Sequence, residues 1–340
     1  MRTRKTPRRP RETDSRPLAG RVAVVAGATR GAGRGIARGL GEAGATVYCT
    51  GRSVRGAPSP YGRPETIGDT ADLASAAGGT GLAVRVDHQN EAEVRTLFER
   101  VEREQGRLDV LVNAIAGEDR RMGGWTKFWE TDLENAVPVL QNALLSHVIT
   151  AKHAAPLLIR GRRGLIVEVT EFDLLFSGGN ILAQLVKFAI KGLAVMMAEE
   201  LRKHRVAAIA VTPGYLRSET MLEHFRVTEE NWREGGKKDP NFLGSESPLF
   251  LGRGVAALAA DRSVLERTGD LCGSWELARE YGFTDADGRT PDLGEHMARN
   301  VLPSTPWMRE GIERHLSWLA RLEGRGQRYL GAGESAPRCG

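Results

Sequence analysis

Residues 22–33 read Val22-Ala23-Val24-Val25-Ala26-Gly27-Ala28-Thr29-Arg30-Gly31-Ala32-Gly33, and the order of parts in that stretch decides the fold. Five small or β-branched apolar residues in a row predict a strand buried on both faces, the habit of a central strand in a parallel sheet. A glycine-rich turn over 27–35 follows, and Ile36 to Ala43 then carries apolar residues at helical spacing. Strand, glycine turn and helix together bring backbone N–H groups up to a pyrophosphate at a helix N-terminus. A bare glycine pattern has little force; its place between a strand and a helix supplies the rest.

Outward from this stretch, further strands are predicted at 45–50, 82–86, 108–116, 165–170 and 206–212. A charged amphipathic helix is predicted at 91–104, with long helical segments near 133–159 and 182–204. The alternation implies right-handed crossovers and an α/β fold: a Rossmann-type, doubly wound parallel sheet forming one domain over 18–290. The stretch 52–70, rich in Gly, Pro and Ser, reads as a surface excursion. The charged segment 219–247 reads as a mobile insertion that covers the substrate. Its Met221, Leu222, Phe225, Trp232 and Phe242 suit a bulky, partly apolar ligand, or equally a packing or oligomer contact. Trp125, Phe128 and Trp129 stand as an opposite wall or as plain anchors. Residues 291–340 form a C-terminal extension around a helix at 308–322, anchored by Trp307 and Trp318.

The chain has 340 residues, 41% hydrophobic and 27% charged, with mean hydropathy −0.33. No run of eighteen apolar residues occurs, so no membrane span is expected. Three distant cysteines, Cys49, Cys272 and Cys339, argue against a disulfide framework or a metal site and for a reducing cytoplasm. The formal net charge of +5 is accounted for by residues 1–17, with seven basic residues against Glu12 and Asp14. A basic arm can touch nucleic acid or an acidic surface, but that segment reads as a disordered solubilising leader without the apolar run of a secretory signal, and a nucleic-acid partner is not expected.

The second strand ends in Thr50-Gly51-Arg52. An acidic residue there would bind the adenosine ribose of NAD; Arg52, flanked by Arg30, offers a guanidinium to a 2′-phosphate, and the expected cofactor is NADP.

With these residues in view, the chain resembles the short-chain dehydrogenase/reductase family over about 20–285. The resemblance rests on the glycine turn and on Asp87 after the third strand. It rests also on Leu111-Val112-Asn113-Ala114-Ile115-Ala116-Gly117, Thr212-Pro213-Gly214-Tyr215-Leu216-Arg217-Ser218, and Ala278-Arg279-Glu280-Tyr281-Gly282-Phe283-Thr284-Asp285. It implies cofactor contacts from Gly27, Thr29, Arg30, Gly31, Gly33, Arg52, Asp87, Asn113, Pro213, Gly214 and Ser218, with Lys187 under the nicotinamide ribose. It also implies a small-molecule substrate and a homodimer or homotetramer paired through the two long helices. Ala114 replaces the second Asn of the family turn.

Family members exchange a proton with the substrate oxygen through a tyrosine, lowered in pKa by a lysine four residues on. Here Lys187 is present and Ala183 stands four residues before it. Thr170 or Glu171 holds the family's serine position, and Gln141, Asn142 or Ala143 its helical asparagine. The remaining proton carriers are Glu171, Asp173, Tyr215 and His147. Three readings follow: an NADP-dependent oxidoreductase with a non-standard proton donor; a non-redox isomerase, lyase or cyclase in the same pocket; or a nucleotide-binding protein without turnover.

Overall fold

The computed structural model describes residues 16–57, 59, 62–116, 127–134, 136–171 and 180–331, with side chains as far as Arg321. The basic leader up to residue 15, Gly117, Trp125, Asp173 and Cys339 lie outside the described residues.

In chain order the elements are β1 (Val22–Ala26), α1 (Gly31–Glu42), β2 (Thr46–Gly51), α2 (Ile67–Ala76), β3 (Thr80–Arg85) and α3 (Glu91–Gln105). Then come β4 (Val110–Asn113), α4 (Ala136–Leu140), α5 (Ser146–Gly161), β5 (Gly164–Val169), α6 (Ile181–Leu201) and β6 (Val206–Thr212). The chain continues with α7 (Glu219–Phe225), α8 (Pro248–Ala260), β7 (Leu271–Gly273), α9 (Ser274–Tyr281), α10 (Leu293–His296) and α11 (Pro306–Gly331). The seven strands form one sheet in the order β3-β2-β1-β4-β5-β6-β7, every pairing parallel. The predicted Rossmann-type sheet in one domain is the observed architecture.

Alternate residues of each central strand feed two cores. Ala23 and Val25, with Val110, Val112, Leu165 and Val167, pack under α1, α2 and α8. Val22 and Val24, with Leu111 and Ile166, pack under α3 and α5. This two-sided burial explains why β1 and β4 read as unbroken apolar runs. The α1–α8 contact is made almost without side chains. A Cβ on Gly35 would lie 2.0 Å from the Pro248 carbonyl oxygen, one on Gly39 2.4 Å from the Gly252 carbonyl carbon, and one on Gly252 2.1 Å from Gly35 O.

Several expectations need correction. The first helix starts at Gly31, not Ile36: Gly33 lies inside it while touching the turn at Gly27, and Gly35 serves packing on α8. The end of the 52–70 excursion is the start of α2, whose Thr66 and Asp69 form a reciprocal capping box. The 219–247 segment is a packed unit, not a loose one: Phe225, Trp232 and Phe242 are buried together, with the Phe225 and Phe242 rings stacked at 4.2 Å. Trp307 and Trp318 do not anchor the last helix, being 60% and 40% exposed; among its described side chains His315 is the buried one. That helix runs on to Gly331.

The reading of membrane spans also changes. The helical stretch Ile181–His204 is long and apolar enough by length and composition to cross a membrane, although Lys187 and Lys191 interrupt its apolar run. In the fold it packs against β5 and β6 and the apolar cluster around Val139.

Candidate active site

The sheet's topological switch point lies between β1 and β4, and the crevice at the strands' carboxyl ends is where such folds take ligands. Two turn glycines there are obligatory. Gly27 has φ +82° and a Cβ on it would sit 2.5 Å from Ala114 O; one on Gly33 would sit 2.2 Å from Gly27 O. Gly31, with φ +54°, opens α1 against Ser218, whose Cβ would lie 3.6 Å away. The Gly31 N–H donates to Glu219 Oε2 at 2.7 Å, and Arg34 lies 3.4 Å from Glu219 Oε1. An anionic group therefore fits this cradle, as the diphosphate of a dinucleotide requires.

The residues expected to take adenosine lie at the ends of β2 and β3 and in the glycine turn. Thr29 is buried beside Gly51, and Arg30 donates to Ser59 Oγ at 3.1 Å. Arg52 lies 4.0 Å from Asp87, both about one-third exposed, so a guanidinium and a carboxylate face solvent together at the strand ends.

The Pro213–Gly214 segment rests on a group the sequence reading missed. The Gly214 N–H donates to Glu246 Oε2 at 2.9 Å, and Ser274 Oγ donates to the same oxygen at 2.6 Å. Glu246 is fully buried, and burial pushes its carboxyl up to about 8 despite those bonds and Arg217. Ser218 caps α7. Arg217, 2% exposed, lies 3.4 Å from Asp285 and 3.2 Å from Glu229, with its guanidinium 4.3 Å from the Trp232 ring. Arg233 and Arg289 approach the same ring at 4.6 and 4.5 Å.

At the reaction end, Lys187 is 11% exposed and its Nζ lies 3.3 Å from Glu171 Oε1; Glu171 itself is 54% exposed. Thr170 is brought near but its hydroxyl donates to the Lys187 backbone carbonyl at 3.1 Å, which makes it a brace between β5 and α6. Ala183, where the family phenol would sit, packs against the apolar cluster of Val139, Ala143, Leu182, Val186 and Ile190.

Tyr215 leaves the set of proton carriers. Its phenol donates to Asp239 at 3.3 Å and its ring meets Phe242, and burial together with that carboxylate pushes it up to about 12. A donor matched to neutral pH needs the opposite shift. His147 is fully buried, with Nδ1 2.6 Å from Glu168 Oε2 and Nε2 3.0 Å from Ile115 O. A carbonyl only accepts, so Nε2 carries hydrogen and one proton lies between Nδ1 and Glu168. Asn113 turns inward to the same carboxylate, donating at 2.7 Å, and is wholly buried rather than directed at the crevice. Asn142 donates to Ala116 O and accepts from Gln89, in the π-helical turn Gln141–Leu145 that offsets α4 from α5. Phe128 and Trp129 are 65% and 67% exposed and touch edge-to-face.

Residues 21–229 match the short chain dehydrogenase family, and the chain belongs to the short-chain dehydrogenase/reductase family. It is 39% identical to Dehydrogenase/reductase SDR family member 1 of Mus musculus over 278 residues, covering 80% of this chain and 85% of the relative. The Homo sapiens protein of that name is 38% identical over the same shares. Among solved structures, a putative dehydrogenase from Xanthomonas campestris superposes with a TM-score of 0.65 at 21% identity, over 82% of this chain and 95% of the other. Membership brings an oxidoreductase-like function, a nicotinamide cofactor and a small-molecule substrate.

Proposed function

We propose that this chain is an NADP-dependent oxidoreductase acting on a carbonyl or alcohol of a bulky, partly apolar small molecule. The observation that carries the reading is the Lys187–Glu171 pair at 3.3 Å, placed at the carboxyl end of β5 where the family's serine position falls. A bound nicotinamide supplies hydride chemistry in this family. The Gly31 amide and Arg34 bind its diphosphate, Arg52 its 2′-phosphate, and Lys187 its ribose. Lys187 Nζ also carries the proton that a reduced substrate oxygen takes up, and exposed Glu171 relays a proton from water back to the neutral amine. In the oxidative direction the same path runs backwards, from substrate hydroxyl to the Lys187 amine and through Glu171 to water.

A second reading is a non-redox isomerase, lyase or cyclase using the same pair as base and acid. It is favoured by Ala183, whose neighbours fill the phenol's place with apolar side chains. The homo-oligomer pairs through the exposed apolar face of Leu145, Val148, Leu185, Phe188, Val195 and Met196 on and beside α5 and α6. Free, buried Cys49 and Cys272 suit a reducing, cytoplasmic setting.

The test is consumption of NADPH at 340 nm against a panel of ketones and aldehydes. Turnover by the wild type, lowered about 10²-fold or more in Glu171→Gln or Lys187→Met, supports the oxidoreductase. Tight NADPH binding without consumption moves the assignment to the non-redox enzyme. Arg52→Ala should weaken NADPH by about tenfold or more and leave NADH nearly unchanged; equal weakening of both would refute the 2′-phosphate assignment.

A further inference from the structure

Helix α7 begins with one carboxylate and carries another a turn later, Glu219 and Glu223. Glu219 reaches across to α1, accepting the Gly31 N–H at 2.7 Å and lying 3.4 Å from Arg34. Glu223 pairs with Arg63, in the chain between β2 and α2, whose guanidinium also lies 2.9 Å from Glu65. Residues four apart share a helix face, so one short helix is tied by charge to α1 and to the chain between β2 and α2. Its other end behaves differently. Only Phe225 of α7 is buried, stacked on Phe242 within the 219–247 unit. The helix is hinged by apolar packing at its C-terminal end and held by carboxylates at its N-terminal end.

From this geometry we propose that α7 is an electrostatic latch on the phosphate seat: Glu219 holds the amide and the Arg34 charge that a dinucleotide diphosphate takes, so cofactor binding displaces Glu219 and frees α7. The inference rests on the crevice being the dinucleotide site. Its physical basis is competition between like charges. One N–H donor cannot serve a carboxylate and a phosphate at once, and two anions at one helix start repel each other. The measured affinity is then the intrinsic affinity scaled by the fraction of molecules with the seat open. By linkage, the cofactor also loosens the unit that α7 heads.

Calorimetric titration of the full chain with NADPH and NADH tests the latch. Glu219→Gln removes the charge and keeps the shape; Glu219→Asp keeps the charge and shortens its reach. Both should bind NADPH more tightly than the wild type, by about tenfold for Glu219→Gln, the worth of one charge-assisted hydrogen bond. Glu223→Gln should tighten binding by a smaller factor, because Arg63 retains Glu65. Amide exchange across 30–33 should also quicken in Glu219→Gln without any ligand. A purely structural Glu219 would lower the melting temperature and give no gain in affinity. NADPH binding by the wild type with no tightening in either Glu219 variant overturns the latch alone. A wild-type chain that binds neither dinucleotide overturns the latch and the site together.

Discussion

Glu168 sits in the middle of a sheet with no exposure, between Asn113 on the next strand and His147 on α5. This lone acid in the run Leu165-Ile166-Val167-Glu168-Val169 was passed over in the sequence, although a carboxylate has no place in a buried strand without partners. Its partners were not legible, since they come from two distant segments. The same logic separates Lys187 from Tyr215. An amine inside an apolar helix demanded an acceptor, and Glu171 provides it; a phenol on a loop carried no such demand and turned to Asp239. Glu168→Ala leaves His147 and Asn113 buried without their shared acceptor, and should destabilise the chain by roughly 3–5 kcal/mol in denaturant unfolding. A loss below about 1 kcal/mol would mean that water or a rotated side chain replaces the carboxylate.

At the scale of elements, the period of apolar residues revealed six of the seven strands and the long helices. The exceptions have physical causes. β7 has three residues and lies at the sheet edge, too short for a periodic signal. The first turn of α1 hid inside a glycine cluster, because glycine is a poor helix former and reads as loop. The glycines that follow it, Gly35 and Gly39, are explained only by α8, which begins far along the chain at Pro248. Gly39→Ala makes the outcome measurable. Alanine gains about 1 kcal/mol of helix propensity, but its methyl would stand 2.4 Å from the Gly252 backbone. Overpacking of that kind costs about 1–3 kcal/mol, and backbone on both sides leaves little room to yield. A net loss of stability is expected; a gain would show that α8 slides freely over α1.

Across the whole molecule, two buried groups shape the response to pH from opposite sides. His88 lies 2.8 Å from both the Thr50 and Thr150 hydroxyls, and burial, aided by His147, pushes it down to about 3 from 6.5. The unfolded chain then binds the extra proton, so this contribution is lost as pH falls from 6.5 towards 3. Glu246 is shifted the other way, from 4.5 to about 8. Here the folded chain holds the extra proton, and the contribution fades as pH rises from 4.5 through 8. Thermal melts should therefore show stability declining between about pH 6.5 and 8 in the wild type, where the His88 contribution is already complete, and a flatter profile in Glu246→Gln. The apolar face on α5 and α6 is the second whole-molecule feature. Light scattering should find a dimer or tetramer, and Phe188→Glu should shift it towards monomer; a wild-type monomer would leave that face to another occupant.

Asp285 accepts bonds from the Ser247 N–H and hydroxyl and faces Arg217, which in turn braces the 219–247 unit. It lies beyond the last strand, yet it fastens the chain on either side of the 219–247 segment. Shortening the chain from its C-terminus thus has a sharp boundary. Removal of the final helix spares this fastening, whereas a cut a few residues before 285 unties the loop that bears Gly214.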